Sequence, residues 1–573
     1  MIFTDQSIIN DYTKRGWWGK ETLSELFDKL VSQYPDRLAL VDPPNRASYA
    51  TGGSERLTYR QLNQKVIAYS LRLIEAGVDT DDIVVYQLPN IHEIIVVLLA
   101  CNRVGAIASP VLVQFGTSEL ASIFSQLKPK ALVSTSNFKQ KNLIERSAPL
   151  CAEYDCVSLE LEKDFSSELS AEKYAQACDM IDQRQKSRPI TANDITTICW
   201  TSGTEGAPKG VMRSHNQWVS ASESIVDGAR MRDGDVLLNA RPVVNMAAIG
   251  GGFYPWLLIA GTMVLHHPLD SELVLKQIEQ EQVNITFMPP AFVVGLLKDP
   301  KLKGVADLSS LRTMGSGSAA IPEWAVEQLK EKYGVNLGNF FGSNEGVSLL
   351  GNHKLVPDAK LRATYFARFG RKDIEWPTQR VSARVETRLV DLESNLEITE
   401  PGCPGELRYK GTTIFSGYFD RPDLTKEAFD EQGYYRSGDL FEIAGDGDAS
   451  RFYRFVGRCK EVIIRGGFNI APAEIDGLLS DHPAISEVAA FSVPDDRLGE
   501  LVGVAVVPEP GQEVRLDDII SYLKSKDIAV FKLPERLLTM DELPRNGLLK
   551  VLRWRLTEIY SEQGSKRESS VSA

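Results

Sequence analysis

The sequence predicts an α/β protein with a large, multi-subdomain N-terminal α/β domain, a β-rich subdomain within it, and a small C-terminal α+β domain. Length is the first indication: 573 residues exceed a single core, since domains usually run to about 100–200 residues. The second is the alternation of short apolar strands with longer helical stretches in the N-terminal part, the pattern of layered α/β folds with buried strands. The third is a change of character further on, first to alternating strands and turns and then to a short mixed unit.

The elements follow in order. Ile83–Gln87 reads as a strand and Ile91–Cys101 as an apolar helix; Ala131–Ser134, Ile195–Trp200, Ile285–Met288 and Leu311–Met314 read as further strands. A glycine-rich segment follows Trp200, and a helix is expected from about Val211. Ala383–Leu389 alternates as a strand, and Gly405–Gly417 reads as strand and turn. After Gly457 come a strand at Glu461–Ile464, a turn at Gly466-Gly467, a helix over Ala473–Ser480, and strands near Val488–Phe491 and Val502–Val507. These set the expected domains as 1–459 and 460–561, with 562–573 a polar, frayed tail.

Composition narrows the function. Apolar residues make up 43% of the chain, which fits a globular protein. The 64 basic residues against 77 acidic ones leave a net charge of −13, a poor match to nucleic acid or an anionic membrane. The seven cysteines include no CxxC pair, which argues against a disulfide framework or zinc site and for a reducing, cytoplasmic setting. The N-terminal MIFTDQSIIN lacks the basic flank and apolar core of a secretory signal. Met246–Leu265 carries no charge over 20 residues, the length of a membrane span. Its glycines at 250, 251, 252 and 261 and Pro255 weaken a continuous helix, so a buried segment without stable membrane insertion is expected.

The chemistry concentrates in a few segments. Thr201-Ser-Gly-Thr-Glu-Gly-Ala-Pro-Lys-Gly210 follows a strand. Its glycines leave backbone N–H groups able to face phosphate oxygens. The hydroxyls of Thr201, Ser202 and Thr204, the backbone at Gly203 and the Lys209 ammonium add donors. It is not a Walker loop, because the spacing to Lys209 differs and no Ser or Thr follows. It resembles the signature loop of the adenylate-forming superfamily, which includes acyl-CoA synthetases, luciferases and peptide-synthetase adenylation domains. Glu205 stands where Thr is usual and is expected to point outward or toward magnesium.

The resemblance covers nearly the whole chain, in the family's order. Phe341-Gly-Ser-Asn-Glu345 is similar to YGxTE. That likeness places Phe341 and Gly342 near adenine, Asn344 as an amide donor to phosphate in place of Thr, and Glu345 on Mg2+. Gly315-Ser-Gly-Ser-Ala-Ala320 resembles SGGAPLP, which places Ser318 and Ala319 by adenine and Ser316 and Gly317 by the acyl group. Tyr434-Tyr-Arg-Ser-Gly-Asp439 resembles (Y/W)xTGD, so Asp439 would accept both ribose hydroxyls, a role suited to two acceptor oxygens. Gly457-Arg-Cys-Lys460 gives Arg458 a ribose or phosphate contact and makes Lys460 the hinge of a mobile C-terminal domain. Phe531-Lys-Leu-Pro534 resembles YKxP. Leu543-Pro-Arg-Asn-Gly-Leu-Leu-Lys550 resembles the segment that carries the catalytic lysine, with Leu549 where glycine is usual. Lys550, with an ordinary pKa of about 10.4, would span the substrate carboxylate and the α-phosphate, and Lys209 and Glu345 complete the expected catalytic set.

The resemblance implies activation of a carboxylic acid by ATP and Mg2+ through an acyl-adenylate, followed by transfer to coenzyme A, with Gly466 and Gly467 near the CoA route. In amino-acid-activating relatives an Asp sits where Asn245 falls, and it pairs the substrate ammonium. Asn245 is neutral, and together with Gly250 and its apolar neighbours it points to a hydrophobic or cyclic acid. His215, with no paired Asp in the sequence, reads as structural or substrate-adjacent and not as a base. No carrier-protein segment follows within the chain, which favours free CoA. Loading of a separate carrier protein and a non-catalytic acyl- or nucleotide-binding role remain alternatives, and a homodimer stays open.

Overall fold

Runs of β-branched and apolar residues, bounded by turns and covered by helices on both sides, form two largely parallel sheets. In the computed structural model, described for residues 1–164, 169–201, 208–317, 321–466, 468–495, 497–526, 528–546 and 550–571, the first sheet has the order Val157–Glu160, Ala131–Ser134, Ile83–Gln87, Ile107–Pro110, Ile195–Thr201, Lys209–Ser214. All its pairs are parallel except the last. The second runs Ser348–Gly351, Asn336–Gly342, Thr313–Gly317, Ile285–Phe287, Val236–Asn239, Thr262–Leu265, Leu38–Val41, Arg56–Thr58, with an antiparallel strand at each edge. The helix His92–Val104 is buried along its whole length, and its apolar residues share one core with Tyr86, Trp218, Phe253 and Trp256.

An antiparallel sheet follows: Tyr365–Ala367, Phe452–Arg458, Tyr435–Ile443, Gly405–Gly411, Val385–Val390, Glu397–Ile398. The C-terminal unit has its own core of Ile463, Ile475, Leu479, Val502, Val504 and Leu523. Its long hairpin, Ile485–Asp495 with Gly499–Pro508, is flanked by the helices Pro472–Leu479 and Leu516–Ser525.

Two expectations are corrected. No helix begins at Val211. Lys209–Ser214 is a strand paired antiparallel with Ile195–Thr201, Ile198 opposite Met212 and Trp200 opposite Gly210. A Cβ on Gly210 would lie 2.8 Å from Ile198, so only glycine allows this pairing. The helix begins at His215, where Ser214 and Gln217 form a reciprocal capping box. Near the end, the helix Arg553–Val571 runs through the segment expected to be frayed, whose Glu, Gln, Lys and Arg residues are good helix formers.

Met246–Leu265 is largely buried. It folds as a wide π-type turn, with Gly251 N bonded to Met246 O at 3.0 Å and Phe253 N to Ala248 O at 2.8 Å; the short helix Tyr254–Leu258 and the strand Thr262–Leu265 follow. Among the described residues no helix is long and apolar enough to cross a membrane.

Candidate active site

The site lies where strand ends and loops meet. Thr201 and Lys209 are opposite one another at the loop end of a hairpin, and Lys209 N donates to Thr201 Oγ1 at 3.4 Å. Ser202, Gly203, Thr204 and Glu205 between them lie outside the described residues, as do Ser318, Ala319, Gly467 and Leu549. The Lys209 ammonium sits 5.1 Å above the Tyr418 ring, a cation–π distance. The same tyrosine donates its hydroxyl to Glu345 Oε1 at 3.1 Å. Tyr418 thus ties the expected phosphate lysine to the expected magnesium carboxylate. Its own pKa is raised, by burial first and by Glu345 next.

The Phe341–Glu345 segment leaves the strand Asn336–Gly342. Phe341 packs among Phe366, Phe441 and Phe455, with centroids 5.0–5.9 Å away. Asn344 is held by backbone on both sides. Its Oδ1 accepts from Met246 N at 2.8 Å, its Nδ2 donates to Trp200 O at 3.0 Å, and its carbonyl accepts from Arg213 at 3.0 Å. The amide carries its acceptor and its donors on separate atoms, so it reaches backbone on two sides. Gly346 follows with φ +108°, and a Cβ there would collide with the Thr413 carbonyl, so the chain must turn on glycine just after Glu345.

The third corner is built by neighbouring antiparallel strands. Asp439 and Arg458 are register partners, with Arg458 Nε 3.3 Å from Asp439 Oδ1. Asp439 is buried, and burial raises its carboxyl to about 6 despite Arg458 and Lys550. Lys550 reaches this corner from the C-terminal unit. Its backbone is held by Asn546, whose Oδ1 accepts from Lys550 N at 3.0 Å. Burial lowers the Lys550 pKa below its ordinary value, with Arg458 acting the same way; Asp439, Glu461 and Glu345 oppose the shift. Lys550, Asp439, Arg458 and Glu345 therefore share one electrostatic neighbourhood.

On the acyl side, Asn245 folds back to accept from Ala247 N at 3.1 Å. Gly250 is packed tightly: a Cβ would lie 2.5 Å from Met246 Sδ and 3.0 Å from Trp218. The Ser316 hydroxyl is buried without a hydrogen-bond partner among the described residues, and a Cβ on Gly317 would collide with the Phe340 carbonyl. Gly466, φ +56°, and Lys460 lie on exposed turns.

Sequence reasoning missed Tyr418 and Arg213. Arg213 is fully buried; it donates to Asn344 O at 3.0 Å and Gln217 O at 2.9 Å and lies 4.5 Å over Trp218. Burial pushes its pKa down to about 10. The only local signal was a charged residue inside the strand after the glycine-rich segment. His215 is structural: its Nδ1 accepts from Leu23 N at 2.9 Å, and burial pushes its pKa down to about 4.

The chain is similar to known proteins over most of its length. The family model for AMP-binding enzymes matches residues 27–419, and that for the AMP-binding enzyme C-terminal domain matches residues 474–550. A medium-chain fatty-acid–CoA ligase of Escherichia coli (strain K12) is 28% identical over 553 residues, covering 95% of this chain and 91% of that protein. A feruloyl-CoA synthase of Amycolatopsis sp. is 29% identical over 523 residues, covering 91% and 97%. Among solved structures, ATP-bound MatB from Rhodopseudomonas palustris shares the fold with a TM-score of 0.75 at 24% identity, covering 94% of this chain and 99% of that one. With family models matching both its large N-terminal part and its small C-terminal unit, the chain belongs to the AMP-binding enzyme family.

Proposed function

We propose that the protein is an ATP-dependent ligase that joins a hydrophobic or cyclic carboxylic acid to coenzyme A through an acyl-adenylate, releasing AMP and pyrophosphate. The observation that carries this reading is the Asp439–Arg458 pair, with Lys550 and Glu345 in the same electrostatic neighbourhood. A carboxylate resists thiol attack because its oxygen leaves poorly, and adenylation replaces that oxygen with AMP. Asp439 accepts the ribose hydroxyls, Arg458 braces that carboxylate, and Phe341 lies beside the base. Lys209, with Thr201, faces the phosphates. Glu345 offers the hard oxygen ligand that Mg2+ prefers, and bound Mg2+ would neutralise phosphate charge. Lys550 spans the acid carboxylate and the α-phosphate, where a fixed cation offsets developing charge. The C-terminal domain then turns about Lys460 and brings the Gly466 region to the CoA route.

The acid class rests on Asn245, which supplies no charge for an ammonium, and it fits the medium-chain fatty acid and ferulate in the names of two relatives. The test is a panel of medium-chain, cyclic, aryl and amino acids, scored by AMP release with and without CoA. Acyl-CoA from the apolar or cyclic acids is expected. Fast AMP release with an amino acid and none with the other classes would overturn the assignment.

Two further expectations follow from the geometry. Asn344→Thr keeps a hydroxyl near phosphate but removes the amide's hold on Met246 N. Leaving that donor unpaired costs about 1–2 kcal/mol, so kcat/KM for the acid should fall roughly 5- to 30-fold at saturating ATP. The second concerns pH. Since burial raises Asp439 to about 6, lowering the pH through that value protonates it, stabilises the empty protein and removes a ribose acceptor. The KM for ATP should therefore rise below pH about 6, and Asp439→Asn should flatten that part of the profile.

A further inference from the structure

Arg241 stands two residues beyond the strand Val236–Asn239, at the carboxyl edge of a parallel sheet, where open α/β folds bind their ligands. Its backbone is held firmly. The Arg241 carbonyl accepts from Asn90 Nδ2 at 2.7 Å and from Asn239 Nδ2 at 2.9 Å. Asn90 also accepts from Val243 N at 3.1 Å, and the intervening Pro242 has a fixed φ.

The side chain is the opposite case. It is half-buried, yet among the described residues no carboxylate, carbonyl or hydroxyl accepts from its guanidinium. Burial pushes its pKa down to about 10, with no neighbouring charge to offset the effect. Other arginines in the interior have protein acceptors: Arg46 has Asp42 and Glu93, Arg408 has Glu406 and Asp430, and Arg213 and Arg362 have backbone carbonyls, with only Arg213 Nε among these left without one among the described residues. A guanidinium carries five donors and no acceptor, and those of the half-buried Arg241, with no protein acceptor among the described residues, are left for solvent or a ligand. On a backbone this well fixed, it is a cation prepared for an anion that arrives from outside.

We propose that Arg241 binds a second carboxylate on the acyl substrate, so that the acid activated here is an apolar or cyclic dicarboxylate of which one carboxyl is adenylated. This rests on the acid-activating reading above and on Asn245, in the same loop, lining the acyl site. The planar fork of Arg241 matches a carboxylate in two parallel hydrogen bonds. The same charge repels an ammonium, which agrees with the neutral Asn245 in disfavouring amino acids. A phosphate of ATP or CoA offers similar chemistry, and the experiment separates the two sources.

The experiment measures kcat/KM for paired acids of one cyclic skeleton, ending either in a methyl group or in a second carboxylate, on the full-length wild-type, Arg241→Lys, Arg241→Gln and Arg241→Met proteins. KM for ATP and for CoA is measured alongside. The diacid-to-monoacid ratio is read within each protein, so partial misfolding scales both substrates and cancels. Wild type should favour the diacid by about 10- to 100-fold, the scale of a charged hydrogen-bonded pair. Met and Gln should lose the preference and Lys should keep part of it. A wild type that turns over both acids without preference overturns the inference and leaves the ligase reading standing. An unchanged diacid preference in the Met variant, with KM raised for ATP or CoA, assigns the cation to a phosphate and also overturns it. AMP release with no acid at all overturns the ligase reading and this inference together.

Discussion

Lys550→Ala is expected to slow acyl-adenylate formation by about a hundredfold or more, the scale of losing one preorganised charge-stabilising group. Given presynthesised acyl-adenylate and CoA, the same variant should form thioester at near wild-type rate. Lys550 shares the electrostatic neighbourhood of Asp439 and Arg458, and the proposed reaction uses that arrangement for adenylation. Burial lowers its pKa while Asp439, Glu461 and Glu345 oppose that shift, so removing one of those carboxylates should weaken the same half-reaction. Lys460→Pro should show the reverse pattern, because Lys460 lies on the exposed turn between Phe452–Arg458 and Ile463–Arg465 and proline fixes φ there. Rapid-quench measurement of each half-reaction, with circular dichroism to check folding, gives the comparison. Equal losses in both steps for both variants would rule out two working conformations.

The largest stability effect is expected at Arg46. Its guanidinium is buried between Asp42 and Glu93 and also donates to Thr51 O at 2.8 and 3.0 Å. His92 joins the cluster through Asp42 Oδ2 at 2.8 Å. Burial alone would raise the Asp42 carboxyl, but His92 and Arg46 outweigh it and hold it below its ordinary value. Because that pKa is depressed, the contribution of Asp42 to stability is present at neutral pH and is lost as pH falls below the usual carboxylate range. Arg46→Met leaves two carboxylates buried without their cation, which costs about 3–5 kcal/mol. Thermal unfolding followed by circular dichroism should show a clear drop in Tm, smaller at acid pH where the carboxylates take up protons. An unchanged Tm at neutral pH would mean that the network is not a stabilising unit.

How much was legible in the sequence depended on how local each cause is. Ile83–Gln87 and Ala131–Ser134 lie where the apolar runs placed them, because a short β-branched run bounded by turns carries its own signal. Val211 was misread because its strand is defined by a partner, Ile195–Thr201, and not by its own composition. The Ser214-x-x-Gln217 cap was present in the sequence and marked the true helix start. Asp439, Arg458, Glu345 and Lys550 were singled out by their order along the chain, and the fold places them in one electrostatic neighbourhood. Tyr418 was not found, because its value comes from Glu345, 73 residues away. The role of Asn344 was likewise set by Trp200 and Met246, which only the folded chain places on either side of it.

The central claim, acid activation by adenylate transfer, is tested most directly by acid-dependent exchange of labelled pyrophosphate into ATP with no CoA present. Exchange that requires a hydrophobic or cyclic carboxylic acid and Mg2+, proceeds without CoA, and falls by about a hundredfold in Lys550→Ala is the expected result. No exchange with any carboxylic acid from a folded, ATP-binding protein would contradict the account and leave a nucleotide-binding relative without ligase chemistry.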